Sequence, residues 1–326
     1  MGIIKNSIIG LVLDSQEIRA IELKGSEKKP YVVAWGKVKL PEGVVKDGRI
    51  INSQLFGVSL ERLLNENGFK GRDIYLGVNN QDIIVRFATF PKVPEEKIRN
   101  MIHFQAQEYM PVSIEELELD YVVVSEKKTD EGEFINAVLV GARKKMLNDY
   151  VEAFIAANTN IKEIDATMLA LGRAALISSE DGTFALTGFN NDIGNILIFK
   201  NGILGMARSV IINQSPAWIE SGDEAIQSVE KENNTCADIL FGEIKSSVSY
   251  YKMQSGEVID KLFILGSVSK QDEVASRLKE TTGLSVSIPT PYTFLENRII
   301  KGKGNGFKSS EYVACISLAM RGLGDK

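Results

Sequence analysis

The pattern that most constrains this chain is a three-segment β run that occurs twice. Near the start, Ile8 to Leu13, Ile18 to Lys24 and Tyr31 to Leu40 read as strands separated by Asp14-Ser15-Gln16 and by the polar turn Gly25 to Pro30. Past the middle, Phe184 to Gly188, Ile196 to Lys200 and Ile203 to Ile212 repeat the plan, joined by the loop Phe189 to Asn195 and by Asn201-Gly202, a strong hairpin signal. Each meander is followed by helical periodicity and a lone apolar strand. With 326 residues the chain is also too long for one small core, so two lobes built on a common plan are expected, without an obvious sequence repeat between them.

After the first meander, Phe56, Leu60, Leu63 and Leu64 recur at i, i+4, i+7 and i+8, with Gly68 as a stop, and Ile74 to Val78 reads as a parallel strand. From Gln81 a β-α-β-β-α block begins. Its strand Ile83 to Ala88 leads into a helix started by Pro94-Glu95-Glu96, striped with Ile98, Met101, Ile102, Ala106, Tyr109 and Met110, and ended by Pro111. Strands Leu119 to Val124 and Phe134 to Gly141 follow, then a helix over 143–157 with Met146, Leu147, Tyr150, Val151, Phe154 and Ile155 on one side. The strand Lys162 to Ile164 and the helix Ala166 to Ile177 return to the first lobe. The second lobe continues with helices over Ile239 to Gln254 and Asp272 to Thr282, a strand over Leu262 to Leu265, and a flexible loop over Lys301 to Gly306. A closing helix, Ser309 to Gly322, has Ser309 and Ser310 as N-cap candidates. The expected division is a first lobe of 1–80, 160–182 and 309–326, an inserted subdomain of 81–159, and a second lobe of 183–308 whose smaller part covers about 213–258.

Composition removes several function classes. The 38 basic and 43 acidic residues give a net charge of −5 with no long basic run, which disfavours nucleic acid as a partner. The only two cysteines, Cys236 and Cys315, and the single histidine, His103, assemble neither a disulfide framework nor a zinc site, and a reducing cytoplasm fits this usage. No apolar run approaches the roughly 18 residues that cross a bilayer, so membrane association is expected only through partners.

The segment Ile9-Gly10-Leu11-Val12-Leu13-Asp14-Ser15-Gln16-Glu17-Ile18-Arg19-Ala20-Ile21-Glu22-Leu23 resembles, without a gap, the first phosphate loop of the PilM family, I-G-I-D-I-G-S-S-S-V-K-A-V-E-L. Phe90-Pro91-Lys92-Val93-Pro94-Glu95-Glu96-Lys97-Ile98, running into His103-Phe104-Gln105-Ala106-Gln107-Glu108-Tyr109-Met110-Pro111, is similar to that family's P-K-M-S-E-K-E-L and R-W-E-A-E-Q-Y-I-P-F. The likeness continues through Ala137 to Lys144 and Ile164 to Arg173, and returns in Phe241 to Tyr251. It implies an α/β, actin-like (ASKHA) two-lobed fold with the β-α-β-β-α subdomain inserted in the first lobe, in the position shared with FtsA. It implies a cytoplasmic scaffold of type IV pilus assembly, peripheral at the inner face of the cytoplasmic membrane. The implied partners are the N-terminal tail peptide of a PilN-like membrane protein and other platform and motor proteins of the pilus. Phe104, Tyr109 and Met110 are the expected anchors for that peptide, in the groove between the insert and the first lobe.

The family fold also implies ATP with Mg²⁺ between the lobes, and there the sequence departs from the pattern. Val12 replaces the first-loop Asp and Asp14 its Gly, so a carboxylate faces the phosphate position. In the second loop Thr187, Gly188 and Phe189 fall where D-I-G is expected. The adenosine motif S-G-G-G reads Leu265-Gly266-Ser267-Val268, and Asn213-Gln214 replaces a Gly-Gly. The residues that would hold a nucleotide are Asp14, Ser15, Gln16, Asp192, Gly194, Glu243, Lys245, Gly266 and Ser267. These losses favour a degenerate site in a scaffold that needs no catalysis of its own. The alternative is an ATP-driven actin-like switch in which Asp14 and Asp192 take over metal positioning.

Overall fold

The structure is a computed structural model describing residues 7–71, 73–179, 182–190, 192–211, 230–266, 271–300 and 306–324. The first meander forms as β1 (Ile8–Leu13), β2 (Glu17–Ser26) and β3 (Lys29–Lys39), antiparallel and in register from Ile8 opposite Leu23 to Leu13 opposite Ile18. A short ribbon, β4 (Val45–Lys46) and β5 (Arg49–Ile50), leads to helix α1 (Ser53–Glu66), whose first turn is capped by the Asn52 side chain accepting from the Leu55 N–H. Next come β6 (Asp73–Val78), the insert strand β7 (Ile83–Pro91), helix α2 (Glu95–Gln105), β8 (Leu117–Thr129), β9 (Gly132–Arg143), helix α3 (Lys144–Ala156), β10 (Asn160–Ala166) and helix α4 (Thr167–Ser178). The first-lobe sheet has the order β10-β6-β1-β2-β3, with β1, β6 and β10 parallel.

The second lobe repeats this order. β11 (Thr183–Phe189), β12 (Ile193–Lys200) and β13 (Ile203–Ile211) form the antiparallel meander. After helix α5 (Glu230–Ser255), β14 (Lys261–Leu265) pairs parallel with β11; after helix α6 (Gln271–Thr282), β15 (Ser285–Ser287) pairs parallel with β14, giving β13-β12-β11-β14-β15. Helix α7 (Val313–Gly324) then returns to the first lobe and packs on β1. The duplication read from the two meanders is thus present as two sheets of one topology, each closed by helix-linked parallel strands.

Central strands covered on both faces are near-continuously apolar: Ile8, Ile9, Leu11 and Leu13 are all buried in β1. Gly10 sits between them because α7 comes so close that a Cβ there would overlap the Cys315 carbonyl.

Several details differ from the sequence reading. Helix α2 ends at Gln105 and passes into a 3₁₀ turn, Ala106–Glu108, so Tyr109 and Met110 lie beyond it. Strands β8 and β9 run to 13 and 12 residues, longer than expected, because they extend together as a hairpin past the helix that covers their apolar end. Helix α3, expected as part of the insert, packs on α1 and β10: Phe154 lies against Phe56 with ring centroids 5.3 Å apart, and Met146, Tyr150 and Ala153 are buried with it. Val151 and Ile155, expected on its buried side, are exposed. Ser309 does not cap the last helix. It begins a 3₁₀ turn, Ser309–Tyr312, and its N–H and hydroxyl both donate to Glu296 at 2.8 Å. β15 was not foreseen. Residues 213–229 of the expected smaller part of the second lobe, Asn213-Gln214 among them, and 301–305 of the expected loop lie outside the described residues.

Candidate functional site: an interlobe cleft and a groove beneath the insert

The cleft between the lobes is built from the turns at the ends of equivalent strands. Where β1 stops, Asp14 is buried and folds back over its own turn: its Oδ1 accepts from the Gln16 N–H at 2.9 Å and the Glu17 N–H at 3.0 Å, while its own N–H donates to the Glu17 carbonyl. The remaining amide of this turn, Ser15 N–H, donates across the cleft to Asp192 Oδ2 at 2.7 Å. Asp192 precedes β12 and is itself buried. That burial raises its carboxyl above the ordinary range; the Ser15 hydrogen bond opposes the shift, and the negative charges of Asp14 and Asp47 add to it.

A second bond joins the lobes deeper in. The side-chain amide of Asn195 donates to Asn79 Oδ1 at 3.1 Å, both residues being buried, and Asn195 Oδ1 accepts from the Ser209 hydroxyl. The cavity beside these bonds measures about 770 Å³, and its walls include Val12, Asp14, Gln16, Thr167, Phe189 and Gly266. Thr167 opens α4, and its hydroxyl is buried with no hydrogen-bond partner in the protein.

Of the residues expected to hold a nucleotide, Asp14, Gln16 and Gly266 stand on these walls, and Ser15 and Asp192 meet each other. Gly194 is buried inside β12 opposite Phe189 and is not on the walls. Glu243 is ion-paired with Arg208 of β13 at 2.7 Å and Lys245 is exposed; both stand outside the cavity. Ser267 lies outside the described residues. Sequence reasoning missed Asn79, Asn195 and Thr167. For the asparagines a signal existed, a polar residue directly ending or interrupting an apolar central strand; for Thr167 there was none.

The second concavity, of about 830 Å³, lies where the insert, the first lobe and the β12–β13 hairpin meet. Val124, Val138 and Val140 come from the insert sheet, whose order is β7-β9-β8; Ile164, Leu169 and Leu176 come from β10 and α4, and Leu204 from β13. Its floor carries an ionic knot: Asp165, nearly buried, binds Arg173 at 2.6 Å and Arg321 at 2.8 Å, and Arg321 also reaches Glu163. β8 is an edge strand, and both of its alternating residue sets border the groove, Glu118, Asp120 and Val122 as well as Leu119 and Tyr121.

The expected peptide anchors lie elsewhere. Phe104 is 84% exposed on α2, Met110 is buried in the core of the insert, and the Tyr109 hydroxyl donates to the Thr89 carbonyl while its ring meets Phe90 edge-on. None of the three lines the groove: Phe104 is exposed on α2, and the 3₁₀ turn after Gln105 leads Tyr109 and Met110 toward the insert's own core.

The sequence model of the family described as type IV pilus assembly protein PilM matches residues 10–196, more than half of the chain. The chain belongs to the PilM family. A solved PilM–PilN type IV pilus biogenesis complex has the same fold as this PilM-family chain, with a TM-score of 0.80 at 19% identity over 98% of this chain and 99% of that one. EutJ, an ethanolamine utilization protein from Carboxydothermus hydrogenoformans, gives 0.50 at 10% identity over 98% and 90%. A Bacteroides thetaiotaomicron protein with an actin-like ATPase fold gives 0.49 at 12% identity over 98% and 99%. The two-lobed, actin-like architecture expected from the sequence is therefore the architecture of this PilM-family protein, and among its described residues no helix is long and apolar enough to cross a membrane.

Proposed function

We propose that this protein is a cytoplasmic scaffold of the type IV pilus machine, lying at the inner face of the cytoplasmic membrane, which holds an extended N-terminal segment of a PilN-like inner-membrane protein in the groove beneath its insert. The observation that carries this reading is the groove itself: aliphatic side chains from three separate regions converge on about 830 Å³ of concave space. An extended peptide suits it, since an edge strand forms one wall and alternate apolar side chains can enter between Val124, Ile164 and Leu204. The charges on the floor are held by one another, leaving the walls to select apolar side chains. Other platform and motor components of the machine would then be reached through this membrane-anchored partner.

The residues of the interlobe cleft do not fit ATP and Mg²⁺. Three successive amides of the first loop are taken by the protein's own carboxylates, and Val12 and Phe189 stand where a metal-binding acid and a small residue would be required. No catalytic step is assigned to the cleft, and the scaffold reading needs none.

The test is fluorescence anisotropy with a labelled peptide copying the N-terminal cytoplasmic segment of the PilN-like protein. Saturable binding, with a dissociation constant on the order of micromolar or tighter, is expected, and Leu204→Arg is expected to abolish it. Binding that is absent, or that survives Leu204→Arg in a folded variant, sinks the assignment.

A further inference from the structure

The first loop presents three consecutive backbone N–H groups in a turn, an arrangement that makes a concave anion site. Here each one already has an anion. Gln16 and Glu17 donate to Asp14, from the same turn, and Ser15 donates to Asp192, which arrives from the other lobe at a sequence separation of 177. The two carboxylates differ in kind. The Asp14 bonds are local and would form in any conformation of the lobes. The Asp192 bond crosses between the lobes.

Asp192 is also set in place by its own loop. The Asn190 side-chain oxygen accepts from the Asp192 N–H at 3.0 Å and from the Ile193 N–H at 2.8 Å, fixing the turn that presents the carboxylate. On the cavity wall the buried Thr167 hydroxyl has no protein partner among the described residues, at the N-terminus of the twelve-residue α4 where helical N–H groups favour negative charge.

We infer that Asp192 is a built-in substitute for a phosphoryl group: its carboxylate occupies the anion position of the first loop, latches the lobes together, and shuts out a phosphoryl ligand that the Ser15 amide and Thr167 would otherwise take. The cleft is a latent phosphoryl site under autoinhibition by one side chain. This goes beyond the misfit of ATP noted above, and it stands or falls apart from the peptide groove, which shares none of these residues.

Two measurements on the full chain test it, using Asp192→Ala to remove the acceptor and Asp192→Asn to keep one while removing the charge. In hydrogen exchange, the Ser15 amide is expected to lose at least tenfold protection in Asp192→Ala and to keep it in Asp192→Asn, with β1 and β12 amides unchanged in both as the control for folding. In calorimetric titration with ATP and Mg²⁺, and separately with inorganic triphosphate, Asp192→Ala is expected to bind at least tenfold more tightly than the wild type. Unchanged Ser15 protection in Asp192→Ala overturns the latch. Binding by the wild type as tight as by Asp192→Ala, or by neither, overturns the exclusion of phosphoryl ligands. Triphosphate binding without any gain from the adenosine would identify the ligand as the polyphosphate chain alone.

Discussion

Among the described residues, the interlobe cleft and the groove beneath the insert are concavities of similar size and different chemistry. The interlobe cleft, about 770 Å³, is bordered by polar loop groups that bond to each other across the gap: Ser15 to Asp192 and Asn195 to Asn79. The groove beneath the insert, about 830 Å³, is walled by aliphatic side chains that none of the other described residues covers. Polar loops that find partners within the chain gain little from a ligand, because a ligand must first displace those partners. Apolar walls left in water gain roughly 25 cal/mol for each Å² an incoming side chain covers. On this comparison the proposed peptide site is the groove, where an incoming side chain displaces no partner the wall already has.

The largest expected effect falls on the groove's floor. Asp165→Ala leaves Arg173 and Arg321 facing one another without their shared carboxylate. Removing one partner of a buried ion pair costs about 3–5 kcal/mol, and since both arginines are about a third exposed, a loss of about 2 kcal/mol is expected in urea unfolding. A loss below about 0.5 kcal/mol would mean that the knot does not hold the floor together. Next in size is Val124→Arg, which places a charge on the wall without entering the deepest core. It is expected to weaken peptide binding at least tenfold, about 1.4 kcal/mol, with a melting temperature within a few degrees of wild type. The same variant should leave Ser15 exchange untouched; a change there would erase the distinction between the two concavities.

How much of this was legible in the sequence follows from the range of the interactions involved. The two sheets were readable because strand alternation and the Asn201-Gly202 turn are local, and β1, β2 and β3 lie within a few residues of their expected bounds. The bonds of Asp14 to Gln16 and Glu17 are equally local. The partner of Asp192 was not, since a bond spanning 177 positions leaves no periodic trace. A groove between insert and first lobe was expected with Phe104, Tyr109 and Met110 on its walls, and the concavity found there is lined by other residues. Tyr109 and Met110 continue the helical stripe in sequence, yet the change to a 3₁₀ turn after Gln105 turns them toward the insert core, and the walls of the concavity are gathered from strands and a helix far apart in the chain. Helix α3 misled in a similar way: Val151 and Ile155 extend its apolar side beyond the width that α1 and β10 cover.

A smaller effect sharpens the cleft's side of the comparison through pH. Burial raises the Asp192 carboxyl in the folded protein above its unfolded value, so the folded state holds that proton more tightly. The stability this contributes is complete below the unfolded carboxyl range, near pH 4, and is lost as pH rises through the folded value. Asp192→Asn carries no such proton and keeps an oxygen for the Ser15 amide. Its stability relative to wild type is therefore expected to increase from pH 4 to pH 7, read as the difference between their urea midpoints. A flat difference would mean that the closed cleft and water hold the carboxylate equally well, and one that falls with pH would mean that the closed cleft holds it better.

The smallest expected effect is at Phe104, and it is useful because it is small. At 84% exposed, the ring loses almost nothing on truncation, so Phe104→Ala is expected to change stability by less than about 0.5 kcal/mol. If the groove alone holds the peptide, the same variant leaves the anisotropy titration unchanged, since Phe104 is not among the groove's walls. A tenfold loss of peptide affinity in Phe104→Ala would instead show that the bound segment continues from the groove onto the outer face of α2, and that the sequence-based choice of this residue was right for a surface other than the one it was assigned to.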